Sequence, residues 1–172
     1  MYFSTAILSA VTLLVASVQA AHTIRLHNQC GYGVGTYVSN WSGNRYTGNP
    51  NQDIPAGGTN TITVPDGWDG RICDKTASGV CANNCYGSCS MVEFNMNANS
   101  NLNYYDISNI QAYSVAQSVS SSCGSVTCTS AYCPCNQAYR PGDTSGTCGG
   151  TGPVDQAVRA CAGGDFTITY CP

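Results

Sequence analysis

Twelve cysteines are the strongest constraint on this chain of 172 residues, and all of them lie between Cys30 and Cys171. Only 9% of the residues are charged, and their net charge is −3. An even number of cysteines at this density is typical of a disulfide-crosslinked secreted domain rather than of a metal site. We therefore expect an extracellular protein without metal or cofactor, in which each disulfide contributes about 2–4 kcal/mol to the free energy of unfolding.

The N-terminal segment agrees with secretion. Residues 6–18 form an apolar run that is too short to span a bilayer well, and a small-residue pattern follows, ending at Ala20. This combination predicts a signal peptide over 1–20 and one domain over 21–172. We expect no membrane anchor.

The charge pattern excludes some classes of binding partner. The chain is weakly acidic and has no cluster of Lys and Arg, which argues against nucleic acid and anionic membranes. Its 19 Gly and 11 Tyr, with many Asn, Ser and Thr, suit a surface that binds a neutral polymer such as a polysaccharide, although such composition is ordinary for secreted β-domains. The sequon Asn40-Trp41-Ser42 predicts a glycan on Asn40, which we expect on a loop.

Alternation of apolar and polar residues predicts strands throughout the chain. Glycine, proline, asparagine and aspartate separate the alternating runs, and no segment has a helical period. The apolar residues that share a face are Ile24 with Leu26, Ile62 with Val64, and Phe166 with Ile168 and Tyr170. The pattern indicates an antiparallel all-β fold, most simply two packed sheets.

Two short segments place carboxylates on polar strand faces. Glu93 lies in 93–97 and Asp106 in 104–108, each opposite apolar neighbours. Hydrolysis of a glycosidic bond needs two carboxylates on one concave face, about 5–5.5 Å apart for retention or 6.5–9.5 Å for inversion. Solvated strand carboxylates have the same spacing, so the pattern alone leaves both interpretations open.

These segments and their flanks resemble the thaumatin-like proteins. The similar motifs are E-F-N-M-N at 93–97, Y-Y-D-I-S at 104–108, the opening strand at 24–30, the strand–turn–Arg-Ile segment at 55–72 and the closing strand at 165–172. The motifs occur in the family's order and cover almost the whole chain after the apolar N-terminal segment.

The resemblance implies a disulfide-rich, flattened β-sandwich of about ten or eleven strands. Full-length members carry sixteen cysteines and a second, loop-rich domain before the closing strand. Here the interval between Cys123 and Cys161 is too short for most of that domain. The chain is therefore similar to the small thaumatin-like proteins, which usually carry ten cysteines, and we expect the second wall of the family's cleft to be mostly missing.

Sequence alone cannot choose among the many pairings of twelve cysteines. The resemblance implies one set of six pairings, in which Cys135–Cys148 is a bridge that ten-cysteine members lack. The pairings that it implies are Cys30–Cys171, Cys73–Cys81, Cys85–Cys89, Cys123–Cys161, Cys128–Cys133 and Cys135–Cys148.

The family also has an acidic cleft of one Arg, one Glu and three Asp, which in some members is linked to β-1,3-glucan binding or weak hydrolysis. The positions that match are Arg71, Glu93, Asp106, Gln111 in place of an aspartate, and Asp155, with Asp143 the poorer alternative for the last. The neutral amide of Gln111 weakens the negative field that would set apart the pKa values of an acid and a base.

The resemblance therefore implies a monomeric, secreted protein that binds cell-wall carbohydrate of the β-1,3-glucan type, with an antifungal, defence or wall-associated role. A first alternative is an inhibitor or binder of a secreted glycosidase or another protein. Its candidate interface is the loop 136–147, which carries Tyr139, Arg140 and Asp143. A second alternative is a weak endo-β-1,3-glucanase in which Glu93 and Asp106 are catalytic.

Two histidines suggest a further possibility. Cleavage after Ala21 would leave His22 at the N-terminus, and its amine with His22 and His27 would offer copper ligands. Positions five apart in a strand point to opposite faces, so we expect no such site.

Overall fold

The computed structural model describes residues 21–76, 81–150 and 152–172, so the expected signal peptide at 1–20 lies outside the described residues. Within these ranges the chain has eleven strands and no α-helix. No described helix has the length and apolar character that crossing a bilayer requires. The strands are β1 (Ala21–Asn28), β2 (Val34–Gly43), β3 (Asn51–Ile54), β4 (Thr59–Pro65), β5 (Trp68–Asp74), β6 (Met91–Asn95), β7 (Asn103–Ser108), β8 (Gln117–Ser121), β9 (Gly124–Cys128), β10 (Arg159–Cys161) and β11 (Asp165–Tyr170).

The strands form two sheets that enclose one core. The five-stranded sheet has the order β4-β1-β11-β8-β9, and the six-stranded sheet has the order β10-β7-β6-β5-β2-β3. The expected all-β sandwich of ten or eleven strands is confirmed.

Aromatic side chains from both sheets meet in the core. Phe94 of the six-stranded sheet and Phe166 of the five-stranded sheet have ring centroids 5.3 Å apart. Tyr105 also lies 5.3 Å from Phe166, and Trp68 lies 5.9 Å from Phe94. Because alternate residues of a strand face opposite sides, these buried residues leave their polar neighbours on the outer face.

One strand pair corrects the expectation of an antiparallel fold. β1 and β11 are parallel, whereas the other strand pairs among the described residues are antiparallel. Their register ends with Asn28 opposite Tyr170, and the disulfide between Cys30 and Cys171 follows directly. Strands that pair side by side and are tied together at their C-terminal ends must run in the same direction.

The structure contains four of the six expected disulfides and re-pairs the remaining four cysteines. The four expected bridges are Cys30–Cys171, Cys123–Cys161, Cys128–Cys133 and Cys135–Cys148. The expected Cys73–Cys81 and Cys85–Cys89 are wrong in the structure, which has Cys73–Cys85 and Cys81–Cys89.

A tight turn explains the exchange. The amide of Ala82 donates to the carbonyl of Tyr86, and the amide of Cys85 donates to the carbonyl of Ala82. This turn directs Cys85 into the interior, where its sulfur lies 3.6 Å from the carbonyl oxygen of Tyr37 and that of Cys73 lies 3.7 Å from the same oxygen. The two sulfurs that share this oxygen are bonded to each other, and the other two pair across the turn.

Asn40 is in strand β2 and not on a loop, which corrects the expected location of the sequon. Its Oδ1 accepts hydrogen bonds from the amide of Tyr46 (2.8 Å) and from Nε1 of Trp68 (2.9 Å). Its Nδ2 donates to the carbonyl of Tyr46 at 3.1 Å. A shift in strand register between Asn40 and Ser42 marks a β-bulge at this point. The glycan itself stays a prediction.

Candidate functional site

Three polar side chains form a row across the outer face of the six-stranded sheet. Arg71 of β5 is directly opposite Glu93 of β6, which is directly opposite Asp106 of β7. Directly opposed residues on antiparallel strands have Cβ atoms about 4.5–5.5 Å apart. The sequence pattern left open whether the two carboxylates share a face, and the strand register places them side by side.

Arg71 is held in place from two directions. Its Nε lies 3.2 Å from Oε1 of Glu93, in an ion pair that is partly shielded from solvent. Its guanidinium carbon lies 4.6 Å from the ring centroid of Trp41 and 5.7 Å from that of Tyr86. The aromatic contacts fix the cation where it meets the row of carboxylates.

Asp106 lies in an environment that favours its protonated form. The residue is partly buried, and its Oδ2 atom is enclosed without a hydrogen-bond partner among the described residues. Burial raises the pKa of Asp106 well above its usual value, and the charges of Glu93 and Asp155 raise it further, against the opposing effect of Arg71. The carboxyl group therefore keeps its proton to higher pH than an exposed aspartate does.

Glu93 and Asp106 of this row line an open cleft of about 460 Å³. Five of the chain's nine acidic residues line it: Asp69, Glu93, Asp106, Asp143 and Asp155. The hydroxyl-bearing side chains of Tyr104, Tyr139, Thr144 and Ser145 complete the polar lining. The site is thus rich in hydrogen-bond acceptors, and Arg71 supplies a positive charge beside it, in contact with Glu93.

The chain between β9 and β10 supplies a wall of this cleft, which corrects the expectation that the second wall is mostly missing. The amide of Tyr139 donates to the carbonyl of Ile107 at 3.0 Å, and the amide of Asn109 donates to the carbonyl of Tyr139 at 3.0 Å. These bonds continue the pairing at the end of β7, and the Cys135–Cys148 disulfide crosslinks the same segment. Backbone pairing and one crosslink thus shape a wall without a second domain.

Both candidates for the last acidic position reach the cleft, but in different roles. The hydroxyl of Tyr139 donates to Oδ1 of Asp155 at 2.7 Å, and burial with this hydrogen bond raises the pKa of Tyr139. Oδ2 of Asp143 accepts from the amide of Cys148 at 2.9 Å, so this carboxylate stabilises the wall. The charge of Asp155 raises the pKa of Asp106, which favours Asp155 over Asp143 as the match for the last acidic position of the cleft.

Gln111 does not line the cleft. It is exposed, and its Oε1 accepts a hydrogen bond from the amide of Gly87 at 2.5 Å, beside Tyr86. The expected place in the cleft is wrong because β7 ends at Ser108 and the chain then leaves the sheet.

The loop 136–147 is less available to a partner than expected. Tyr139 and Asp143 face the cleft, and Arg140 is partly buried, with its Nε donating to the carbonyl of Cys133 at 2.7 Å. The most exposed aromatic side chain of this region is Tyr132, which is 84% exposed.

A second polar row and one aromatic residue of the site were not predicted from the sequence. Asp69, Asn95 and Tyr104 are opposite one another on β5, β6 and β7, parallel to the first row. Asp69 lies two residues before Arg71, so strand alternation was a signal that could have found it. Trp41 gave no such signal, because a β-bulge places it.

No model of a protein family matches the chain. Pathogenesis-related protein 1A/1B of Hordeum vulgare is 30% identical in an alignment that covers 98% of this chain and 99% of that protein. Thaumatin-like pathogenesis-related protein 4 of Avena sativa is 30% identical, over 98% of each chain. Thaumatin-like protein PWIR2 of Triticum aestivum is 29% identical, over 96% of this chain and 97% of that protein.

Two solved structures share the fold at low identity. The thaumatin-like xylanase inhibitor TLXI has a TM-score of 0.59 and 15% identity, covering 87% of this chain and 99% of its own. The protein elicitor MoHrip2 from Magnaporthe oryzae has a TM-score of 0.57 and 16% identity, covering 88% and 99%. Since the alignments to the named relatives span nearly the full length of both sequences, the chain belongs to the thaumatin-like pathogenesis-related protein family.

Proposed function

We propose that this protein is secreted and binds a neutral cell-wall polysaccharide of the β-1,3-glucan type in the acidic cleft. Its role would be antifungal, defensive or wall-associated. The observation that carries the proposal is the adjacent pair of Glu93 and Asp106 in the open cleft, with Arg71 directly opposite Glu93 on the next strand. Family membership supports the defence context.

The chemistry of the cleft suits a neutral sugar polymer. Carboxylates accept hydrogen bonds, and every free hydroxyl of a sugar can donate one. Tyr104 and Tyr139 add hydroxyl groups together with apolar ring surface. The excess of acidic over basic side chains in the cleft repels an anionic polymer, so the charge of the cleft selects against uronic acids and phosphates.

Binding is favoured over hydrolysis by the state of the two central carboxylates. Glu93 is engaged by Arg71 at 3.2 Å, which reduces its capacity as a nucleophile or base. The raised pKa of Asp106 makes it a proton donor, but a donor alone does not complete the reaction. Weak β-1,3-glucanase activity is the alternative that the same pair allows, and release of reducing sugars from laminarin measures it.

A pull-down with insoluble β-1,3-glucan tests the proposal. The double variant Glu93→Gln/Asp106→Asn removes the two central carboxyl groups and keeps the side-chain shapes. Because hydrogen bonds to charged groups contribute about 1.5–3 kcal/mol each, we expect retention to weaken at least about tenfold. The control Asp53→Asn/Asp165→Asn replaces two carboxyl groups by amides at exposed positions outside the cleft and should bind as the wild type does.

Two outcomes contradict the proposal. Equal retention of wild type and the cleft variant would place the binding site elsewhere. No retention of the wild type would shift the function to a protein partner.

Binding of a secreted glycosidase is the second candidate, and one surface feature favours it. Tyr132, inside the loop closed by Cys128–Cys133, stands exposed beside a concavity of about 480 Å³ that Arg140 and Pro141 also line. Tyr and Arg are favoured anchors of protein interfaces. The similarity of the fold to a xylanase inhibitor supports a test with secreted xylanases, in which Tyr132→Ala should weaken inhibition.

A further inference from the structure

The two tryptophans of the chain have opposite environments. Trp68 is fully buried in the core, whereas Trp41 is 59% exposed. Tyr86, whose ring centroid lies 6.4 Å from that of Trp41, is 47% exposed. Neighbouring exposed aromatic rings offer flat apolar surface with polar edges, which suits contact with a ligand.

A β-bulge places Trp41 on the outer face of the six-stranded sheet. The register of β2 with β5 pairs Asn40 with Gly70 and Ser42 with Asp69, which leaves Trp41 as the unpaired extra residue. Bulges re-aim a side chain and are frequent beside active sites. Asn40 fixes the bulge through its three hydrogen bonds.

Trp41 is continuous with the acidic cleft through Arg71. The guanidinium carbon of Arg71 is 4.6 Å from the ring centroid of Trp41, and its Nε is 3.2 Å from Glu93. Ser39, opposite Arg71, extends the row onto β2, where a second concavity of about 390 Å³ begins, with Asn83 among its lining residues. From β7 to β2 this polar surface spans three strand spacings, roughly 14 Å.

We propose that Trp41 is a stacking platform for a glucosyl ring of the same β-glucan chain that the cleft binds, an inference that rests on the proposed function. A pyranose ring has an apolar C–H face and a rim of hydroxyl groups. The indole accepts the apolar face, and the adjoining amides and hydroxyls of the second concavity accept the rim. The bound chain then crosses the sheet from Asp106 to Trp41, and its affinity increases with its length.

Affinities for laminaritriose and laminarihexaose test the platform, because the shorter chain occupies the cleft and the longer chain also reaches β2. We expect Trp41→Ala to weaken laminarihexaose binding about tenfold, equivalent to about 1.4 kcal/mol, and laminaritriose binding less than about twofold. Trp41→Phe, which keeps an aromatic face, should recover part of the loss. The control Tyr132→Ala removes an exposed aromatic ring outside the cleft and should change neither affinity.

Tryptophan fluorescence gives a second measurement. Because Trp68 is buried, acrylamide quenching of the native protein reports on Trp41. Laminarihexaose should protect the fluorescence from quenching in the wild type and should have no effect in Trp41→Ala.

The outcomes separate this inference from the function on which it rests. Binding of laminarihexaose without protection of Trp41, and with unchanged affinity in Trp41→Ala, would overturn the platform and leave glucan binding in the cleft intact. An equal loss for both oligosaccharides in Trp41→Ala would also overturn it, since Trp41 would then be part of the cleft. If the wild type binds neither oligosaccharide, both proposals fail.

Discussion

Asp106 combines three features that rarely occur in one surface strand residue. It lies beside Glu93, its Oδ2 is enclosed without a partner among the described residues, and its pKa is raised, first by burial. A proton held by the folded state and not by the unfolded state makes stability depend on pH.

We expect Asp106→Asn to be more stable than the wild type at neutral pH. Between the unfolded pKa of about 3.9 and the raised folded pKa, the folded state binds more protons, so the free energy of unfolding falls as pH rises. Below the unfolded pKa both states are protonated and the penalty disappears. Thermal unfolding from pH 3 to pH 8 should therefore show a gain for the variant that vanishes in acid.

The matched control is Asp165→Asn, which removes one exposed carboxylate of β11. It should show no comparable gain. If the stability curves of wild type and Asp106→Asn run in parallel across the whole pH range, the folded state does not raise the pKa of Asp106.

The bulge at Asn40 gives strand β2 its particular shape. Asn40 satisfies the amide and carbonyl of Tyr46 and the indole N–H of Trp68, so it ties the strand to the following loop and to β5. The same bulge presents Trp41 beside Arg71. The element therefore connects core stability with the shape of the proposed binding surface.

We expect Asn40→Ala to lower the free energy of unfolding by about 2–4 kcal/mol, because it removes three hydrogen bonds and leaves the Trp68 N–H without its acceptor. Urea denaturation measures the loss. Asn44→Ala is a suitable control, since Asn44 makes one exposed bond to the carbonyl of Asp66, and it should cost less than about 1 kcal/mol. Equal losses in the two variants would show that the bulge does not depend on Asn40.

The whole sandwich is closed by the bridge between Cys30 and Cys171. These cysteines are 141 residues apart and follow the paired ends of β1 and β11. Cys128–Cys133, in contrast, closes a separation of only 5 residues. In the chain-entropy description, a disulfide stabilises the fold more when it closes a longer loop.

Replacing both cysteines of each bridge by serine tests this contrast. The loop entropies predict a loss of about 5 kcal/mol for Cys30→Ser/Cys171→Ser and about 2 kcal/mol for Cys128→Ser/Cys133→Ser. Thermal unfolding at one pH compares the two variants directly. Similar losses would indicate that strain or local packing, rather than loop closure, sets their contributions.

Strand faces and much of the candidate site were predictable from the sequence. Period-2 alternation is a local property of an extended backbone, so Phe94 and Tyr105 could be assigned to the core, with Glu93 and Asp106 on the polar faces. The family motifs added the architecture and the match of Arg71. These inferences depend on residues that are close in the sequence.

Features that depend on the path of the chain between strands could not be predicted in this way. The disulfide partner of Cys85 is set by the turn between Ala82 and Tyr86. The wall of the cleft at Tyr139 is set by its pairing with the end of β7. Gln111 leaves the cleft because its strand has already ended.

The sequence therefore determines which side chains of a strand face outward, because alternation involves only neighbouring residues. It also shows that disulfides stabilise the fold, because the number of cysteines can be counted directly. Tertiary structure determines which outward side chains meet. The strand register aligns Arg71, Glu93 and Asp106, and the bulge sets Trp41 beside them. Those contacts join residues far apart in the chain, so they form only when β2, β5, β6 and β7 pair in one sheet.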